Sequence, residues 1–241
     1  MKALILAAGR GKRLGKISQE KNKCMIEIKG KPLLTYGLDC AVQTDISEII
    51  IVVGYQAEEI INTFGNNYQG KRIRYVFQPE QKGLVHAIEC AKEALGKEDF
   101  ILMLGDELMI KPKHQEMIKK YREENLFALC GMMRVEDRNL IKKTYTAIQT
   151  EDGRIFRLIE KPNKPMNNLM GTGNCILKNE ILSYIPQTPI NQKRGEKELV
   201  DLIQCAIDEG ETVKSFLICD QYFNVNSQQE IEEAKSYFAH L

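Results

Sequence analysis

Apolar segments of strand length alternate with segments of helical periodicity along the first half of the chain. The runs ALILAA, EIIIVVG, IRYVFQ and DFILMLGD predict strands over residues 3–8, 48–54, 73–78 and 99–106. Between them, apolar residues recur at three- and four-residue intervals, which predicts helices over residues 33–44, 57–65 and 84–95. Strands that are nearly continuous in apolar residues are typical of sheets covered on both faces, so a parallel, doubly wound sheet is predicted.

The pattern loosens after residue 106 and predicts further elements built onto the same sheet. A helix is predicted near 113–124, and strands at 127–133, 145–149, 154–161, 173–178, 213–218 and 221–225. The segment before residue 173, rich in Pro, Asn and Gly, is predicted to be a loop. Two more helices are predicted over 198–210 and from about 227 to 238. With no internal repeat or linker in 241 residues, we expect a single domain over residues 1–241.

Positive charge is concentrated close to the N-terminus. The net charge is +1, yet eight Lys or Arg residues and only two acids lie between Arg10 and Lys31. A basic excess confined to one loop argues against a nucleic-acid or membrane-surface binder and favours a small polyanion as ligand.

The cysteines and the apolar runs restrict the class of protein. Seven widely spaced cysteines without a C-x-x-C pair indicate neither a disulfide framework nor a zinc site. No apolar run approaches the ~20 residues that span a bilayer, and Met1 leads directly into the first strand without a signal peptide. We therefore expect a cytoplasmic protein with reduced, mostly buried thiols.

A G-x-G pair follows the first predicted strand. Gly9 and Gly11 let backbone amides approach phosphate groups, a use shared by several nucleotide-binding folds. The dinucleotide fingerprint requires a third glycine three residues after the second, and this chain has Leu14 there. A dinucleotide-dependent oxidoreductase is therefore disfavoured, and the dense cations favour a triphosphate.

The segment LAAGRGKRLGKISQEKNKCMIEIKGKPLL resembles the signature of the sugar-1-phosphate nucleotidyltransferases, L-A-A-G-x-G-T-R-L-x-P-L-T-x-x-x-P-K-P-M-L-P-I-x-G-K-P-L, including the ten-residue step from Arg13 to Lys23. The resemblance implies an α/β, Rossmann-like three-layer α/β/α fold with a mostly parallel mixed sheet of the nucleotidyltransferase (glycosyltransferase-A-like) type. It implies a nucleotide-binding half over 1–110 and a sugar-phosphate-binding half over 111–241. Lys16 and Asn22 replace two of the family's prolines, which predicts a looser loop.

The resemblance also implies roles on the nucleotide side of the site. Arg13 and Lys23 would be catalytic contacts of the triphosphate, and Gln78 would read a pyrimidine edge together with Gly83, while His86 is interpreted as ordinary packing. Asp106, in an L-G-D segment, would be a Mg²⁺ ligand, with Asn226 or else Asn224 as the second ligand. The implied nucleotide-binding set is Leu6, Ala8, Gly9, Gly11, Lys12, Gln78, Gly83 and Asp106.

On the acceptor side, the segment RLIEKPNKP resembles the family's E-K-P motif. Glu160 would accept hydrogen bonds from sugar hydroxyls, and Lys161 would be a catalytic contact of the attacking phosphate. Thr146 replaces a family glycine, so its side chain is predicted to contact the acceptor or clash with it. Glu107 receives no role. The implied sugar-phosphate-binding set is Glu160, Lys161, Thr146, Thr172, Gly173 and Arg194.

The reaction that the resemblance implies joins an NTP, with UTP or dTTP favoured, to a sugar 1-phosphate and releases pyrophosphate with Mg²⁺ as cofactor. A cytidylyltransferase acting on a phosphocholine- or phosphonate-like acceptor is the alternative, because Thr146 and the VNSQQE segment depart from the glucose-specific pattern. A non-catalytic relative is disfavoured by the presence of Arg13, Lys23 and Asp106. We expect no nucleic-acid or membrane partner, and a homo-oligomer by analogy with relatives.

Overall fold

The computed structural model of the protein describes residues 1–11, 14–15 and 21–239, and the elements below lie within them. The strands are β1 (Lys2–Leu6), β2 (Glu27–Ile28), β3 (Lys31–Pro32), β4 (Ile49–Val53), β5 (Asn67–Tyr68), β6 (Lys71–Phe77), β7 (Phe100–Leu104), β8 (Glu107–Ile110), β9 (Ala128–Arg134), β10 (Tyr145–Gln149), β11 (Ile155–Glu160), β12 (Leu169–Leu177), β13 (Ile190–Asn191), β14 (Glu196–Lys197), β15 (Val213–Leu217) and β16 (Gln221–Asn224). The α-helices are α1 (Leu33–Val42), α2 (Ala57–Phe64), α3 (Leu84–Cys90), α4 (Lys92–Leu95), α5 (His114–Glu123), α6 (Leu199–Asp208) and α7 (Gln228–Ala239). Short 3-10 helices span Lys23–Met25, Arg138–Lys143 and Asn179–Tyr184.

A mixed sheet of mostly parallel strands runs through the described part of the chain in the order β15-β9-β12-β7-β1-β4-β6-β5. Strand β1 pairs in parallel with β4 and β7, and β4 pairs in parallel with β6. Strand β12 is antiparallel to both neighbours, and β5 is antiparallel to β6. The predicted mostly parallel mixed sheet is confirmed, and the second half does extend the sheet of the first.

Helices cover both faces of the sheet. Successive side chains of a strand point to opposite faces, so Leu4 and Leu6 enter one core while Ala3 and Ile5 enter the other. The first core is closed by α3, α4 and α6, and the second by α1, α2 and α5. Apolar residues on both faces of β1, β4 and β7 therefore produce the three-layer arrangement that the sequence predicts.

The predicted loop before residue 173 is confirmed over residues 162–168, which form neither strand nor helix, but its glycine-containing end belongs to a strand. Strand β12 already begins at Leu169, and its pairing with β9 shifts register between Gly171 and Cys175. A Cβ atom on Gly171 would lie 2.2 Å from the Tyr145 ring, and one on Gly173 would lie 2.3 Å from Leu104. These glycines permit close packing at an irregular point of a strand, which the sequence pattern does not distinguish from a turn.

The C-terminal segment returns to the N-terminal half. Strand β16 pairs antiparallel with β8, which places Asn224 opposite Glu107. Helix α7 then buries Ile231 and Ala234 in a small cluster with Leu14 and Ile28. This return brings the end of the chain next to Asp106, because β8 follows directly on that residue.

All seven cysteines are free thiols, so the prediction that they form no disulfide framework is confirmed. Among the described residues, no helix has the length and apolar character needed to cross a membrane.

Candidate active site

A cavity of about 540 Å³ opens where several parallel strands end. Strands β1, β6 and β7 end at this edge, and open α/β sheets bind ligands at the carboxyl ends of their strands. From the nucleotide-binding set the cavity is lined by Leu6, Ala8, Gly9, Gly11, Lys23, Gln78, Gly83 and Asp106. From the acceptor and metal sets it is lined by Glu160, Lys161, Thr172, Gly173, Arg194, Asn224 and Asn226.

Lys23 lies at the centre of the nucleotide side. Its ammonium pairs with the Asp106 carboxylate and donates a 2.7 Å hydrogen bond to Asn226 Oδ1. Lys23 is 7% exposed, so burial strengthens this charge pair relative to one in water. The carboxylate and the amide oxygen thus converge on one cation.

The two asparagines proposed as metal ligands have different surroundings. Asn226 directs its side-chain oxygen at the Lys23 ammonium, whereas the Asn224 side-chain oxygen accepts a 2.5 Å hydrogen bond from the Asn226 amide. The backbone N–H of Asn226 donates to Glu230 Oε2 at 2.8 Å. This arrangement favours Asn226 over Asn224 as a partner of Asp106.

Asn22 fixes the end of the basic loop where the family has a proline. Its side-chain amide donates to the backbone oxygens of Ala7 and Tyr55 and accepts from the backbone N–H of Cys24. Its own N–H donates to Glu59 at 2.9 Å. Asn22 is fully buried, so this side chain anchors the backbone directly before Lys23. The looser loop stays a prediction, since Lys16, the other position where the family has a proline, lies outside the described residues.

Gln78 follows β6 and is held by its neighbours. Its amide nitrogen donates to the backbone oxygen of Gly83 at 3.1 Å and lies 3.0 Å from His86 Nδ1. Gly83 has φ of +92° and precedes α3, and a Cβ atom there would lie 2.6 Å from Glu196 Oε2. Only glycine fits this combination of conformation and close contact. The interpretation of His86 as ordinary packing missed its contact with Gln78.

The acceptor side carries two cations among three acids. Lys161 pairs with Glu160 at 2.9 Å, and burial raises the pKa of the Glu160 carboxyl above its usual range. Arg194 lies 2.8 Å from Glu198, 3.5 Å from Glu196 and 4.0 Å from Glu160. These five side chains form what we call the acceptor wall, and they include more acids than bases.

Glu107 connects four elements beneath the acceptor side. It accepts hydrogen bonds from the Gly173 N–H at 2.9 Å, the Asn174 side-chain amide at 2.7 Å and the Tyr222 hydroxyl at 2.5 Å. His114 in turn lies 2.8 Å from Asn174 Oδ1. Burial and the neighbouring Asp106 charge raise the pKa of Glu107 to about 8 despite these three donors. Apart from an acidic residue directly after Asp106, no pattern in the sequence indicates this network.

The model of the nucleotidyl transferase family matches residues 2–233. The chain belongs to this family. The resemblance stated from the basic loop is thereby confirmed.

Several curated members of the nucleotidyl transferase family are similar to this chain. The UTP–glucose-1-phosphate uridylyltransferase AglF of Haloferax volcanii is 33% identical over 98% of this chain and 95% of its own length. A glucose-1-phosphate thymidylyltransferase of Streptomyces griseus is 31% identical over 90% of this chain, which covers only 60% of that relative. The bifunctional protein GlmU of Methanococcus maripaludis is 33% identical over 87% of this chain, which covers 48% of that relative.

Solved structures show the same fold. The crystal structure of a UDP-glucose pyrophosphorylase complexed with UDP-glucose has a TM-score of 0.89, at 24% identity, over 99% of this chain and 98% of that one. A UDP-glucose pyrophosphorylase from Acinetobacter baumannii has a TM-score of 0.85, at 23% identity, over 98% of this chain and 92% of that one. The predicted nucleotidyltransferase fold class is confirmed by these two likenesses.

The structure places one of the predicted acceptor contacts, Thr146, away from the cavity. Thr146 is buried, and its hydroxyl oxygen lies 2.7 Å from both Asn167 Oδ1 and the Leu169 oxygen, to either of which it can donate its proton. It does not line the cavity, which argues against the predicted contact with the acceptor. Lys12 and Arg13 lie outside the described residues.

Among the described residues, no group of three or more His, Cys, Asp or Glu side chains could hold a metal ion. The candidate site instead offers one carboxylate, Asp106, together with the amide oxygen of Asn226. Both oxygens already face a cation, the Lys23 ammonium, so the donor set fits a hard divalent ion that takes one or two protein oxygens and completes its shell with water and phosphate.

Proposed function

We propose that this protein transfers the nucleotidyl group of UTP or dTTP to a sugar 1-phosphate, which yields an NDP-sugar and pyrophosphate. The observation that carries the proposal is a single cavity with Lys23, Asp106 and Asn226 on one side and Lys161 with Glu160 on the other. This is the arrangement expected of a site that joins two phosphorylated substrates. The names of AglF and of the thymidylyltransferase support the substrate class.

The chain's own residues act by positioning and by neutralising charge. An oxygen of the acceptor phosphate attacks the α-phosphorus, the bond from that phosphorus to the bridging oxygen breaks, and pyrophosphate leaves with the electron pair. The attacking phosphate is already an anion at neutral pH, so no general base is needed. The thiol of Cys24, which lines the cavity, is a poor nucleophile because burial raises its pKa.

Each substrate has its own contacts in this proposal. Lys23 holds the triphosphate, and the fixed amide of Gln78 presents its hydrogen-bonding groups to a pyrimidine edge next to Gly83. Lys161 holds the acceptor phosphate, and Glu160 accepts from the acceptor's hydroxyl groups. Alignment of the two substrates is the main source of rate in such transfers.

A divalent metal is part of this proposal, since the family's nucleotidyltransferases generally use one. Asp106 and Asn226 are the residues that would hold Mg²⁺, with Asn224 steering the Asn226 amide. When bound, Mg²⁺ would neutralise charge on the α-phosphate. A cytoplasmic location, which the free thiols support, and a homo-oligomeric state complete the proposal.

A substrate panel tests the proposed function. The protein is incubated with UTP, dTTP, CTP, ATP or GTP and with glucose 1-phosphate, other sugar 1-phosphates or phosphocholine, and pyrophosphate release is measured. We expect release with UTP or dTTP and a sugar 1-phosphate, and an NDP-sugar by mass spectrometry. Activity with CTP alone would establish the cytidylyltransferase alternative, and no release with any pair would contradict both.

A further inference from the structure

Lys143 is a cation of the cavity to which the proposed function gives no role. Lys143 ends the 3-10 helix Arg138–Lys143 and lines the cavity together with Lys23, Lys161 and Arg194. Its side chain is 66% exposed, and its ammonium lies 2.9 Å from Glu230 Oε1. The Glu230 side chain is 17% exposed, but water around the lysine screens the pair and keeps its contribution to stability small, so the fold alone does not account for a lysine at this position.

Lys143 lies between the two sides of the site. The residue after it, Thr144, accepts a 2.7 Å hydrogen bond at its backbone oxygen from the Lys161 N–H. Its ion-pair partner Glu230 uses the other carboxylate oxygen to accept from the Asn226 N–H at 2.8 Å. Lys143 is therefore joined to the candidate acceptor lysine through the backbone of Thr144, and its ammonium is joined to the candidate metal ligand through Glu230.

Among the described side chains of the acceptor wall, carboxylates outnumber cations. Arg194 faces three carboxylates within 4.0 Å, and Lys161 shares one of them, Glu160. A phosphate dianion that entered this wall would meet more negative than positive charge. Within the part of the chain that the structure describes, Lys143 has a single acidic partner, and its flexible four-carbon stem allows the ammonium to move toward the cavity.

We propose that Lys143 is a further contact of the acceptor phosphate, with Glu230 holding the ammonium beside the cavity until that phosphate binds. This inference rests on the proposed function, since it assigns a residue to the second substrate of that reaction. A lysine here supplies the positive charge that the acidic wall lacks.

Lys143→Met is compared with Lys142→Met, which removes the same charge from an exposed position one residue earlier that does not line the cavity. We expect Lys143→Met to lower kcat/KM for the sugar 1-phosphate about tenfold, the effect of one lost charge-assisted contact, while the KM for the NTP stays within about twofold. Lys142→Met should match the wild type. Lys143→Arg should restore most of the lost activity, because it restores the charge.

Binding of inorganic phosphate, measured by calorimetry, is the readout that does not require turnover. We expect Lys143→Met to bind phosphate more weakly than Lys142→Met at low ionic strength. Equal kinetics and equal phosphate binding in the two variants would overturn the role of Lys143 while leaving the proposed function intact. If Lys143→Met lost the phosphate binding that the wild type and Lys142→Met retain, but the wild type released no pyrophosphate with any substrate pair, the result would support this inference and contradict the proposed function.

Discussion

The Lys23 ammonium has two alternative anionic partners, the Asp106 carboxylate and the triphosphate of the proposed reaction. In this structure its ammonium neutralises Asp106, yet the proposed reaction needs that charge on the triphosphate. Replacement of Lys23 by alanine should lower turnover at least about tenfold, since a charge-assisted contact contributes about 1.5–3 kcal/mol. The same change should strengthen binding of Mn²⁺ to the nucleotide-free protein, because the competing cation is gone. Pyrophosphate release and electron paramagnetic resonance titration with Mn²⁺ measure the two effects.

Lys21→Ala is the matched control for this pair of effects. Lys21 is exposed and two residues away, and its replacement changes the net charge equally. It should leave both turnover and Mn²⁺ binding close to those of the wild type. If Lys23→Ala bound Mn²⁺ as weakly as Lys21→Ala does, the ammonium would not compete for the Asp106 and Asn226 oxygens.

Helix α5 is joined to strand β12 by a buried histidine with an unusual environment. His114 is 4% exposed, its Nε2 lies 2.8 Å from Asn174 Oδ1, and its Nδ1 has no hydrogen-bond partner among the described residues. Burial lowers the pKa of His114 below the ordinary value of 6.5. As the pH falls below about 6.5, the imidazole of the unfolded chain takes up a proton while His114 in the folded protein stays neutral. The contribution of His114 to the free energy of unfolding is therefore fully present above pH 6.5 and is lost as the pH falls toward the lowered pKa.

His114→Gln keeps a donor for Asn174 and removes the titration. As the pH falls below 6.5, the unfolding free energy of the wild type should drop relative to this variant by up to about 1.4 kcal/mol per pH unit. Urea unfolding at pH 5.5, 6.5 and 7.5 measures the difference, in which the carboxyl groups common to both proteins cancel. Parallel stability profiles for the two proteins would show that His114 does not titrate differently in the folded state.

Strand β12 depends on a glycine that packs against an aromatic ring. A Cβ atom on Gly171 would overlap the ring of Tyr145, which is itself buried at 5% exposure. Gly171→Ala should therefore destabilise the protein by about 1–3 kcal/mol, the usual cost of overpacking a core. The control is Gly37→Ala in α1, where nothing lies within 4 Å and the change should stabilise by about 0.5–1 kcal/mol. Thermal unfolding reports both, and a stabilising Gly171→Ala would contradict the packing argument.

The elements that the sequence predicted best are those with strong local patterns. Strand β1 was predicted over 3–8 and spans Lys2–Leu6, because an unbroken apolar run between two helical layers has few alternatives. The pairing of β8 with β16 was not predictable, since each strand has four residues and more than a hundred residues separate them. The same holds for the site. Gln78, Asp106 and Glu160 stand in local motifs, whereas the Glu107 network and the place of Lys143 depend on contacts between distant segments.

At the scale of the whole molecule, the two halves share their framework. Strand β12 from the second half pairs with β7 from the first, through Leu177 opposite Phe100, inside one sheet. Strand β16 pairs with β8 across the same division, and the first core contains Leu4 and Ala128 together. The predicted division of function falls at about residue 110, but the hydrophobic cores do not divide there.

We therefore predict that the protein unfolds as one domain and that residues 1–110 do not fold alone. In a fragment of residues 1–110, strand β7 would lose its partner β12, and the apolar side chains of the first core would be exposed to water. Because folding of a single domain is cooperative, we expect this loss to prevent the fragment from folding. Urea unfolding is followed by circular dichroism and by the fluorescence of the nine tyrosines, because the chain has no tryptophan whose signal would dominate. If the protein unfolds as one domain, the two transitions should coincide. The 1–110 fragment should show no cooperative transition. Two separate transitions, or a fragment that unfolds cooperatively, would mean that the nucleotide side is a domain in its own right and that the C-terminal return of β16 is only docked onto it.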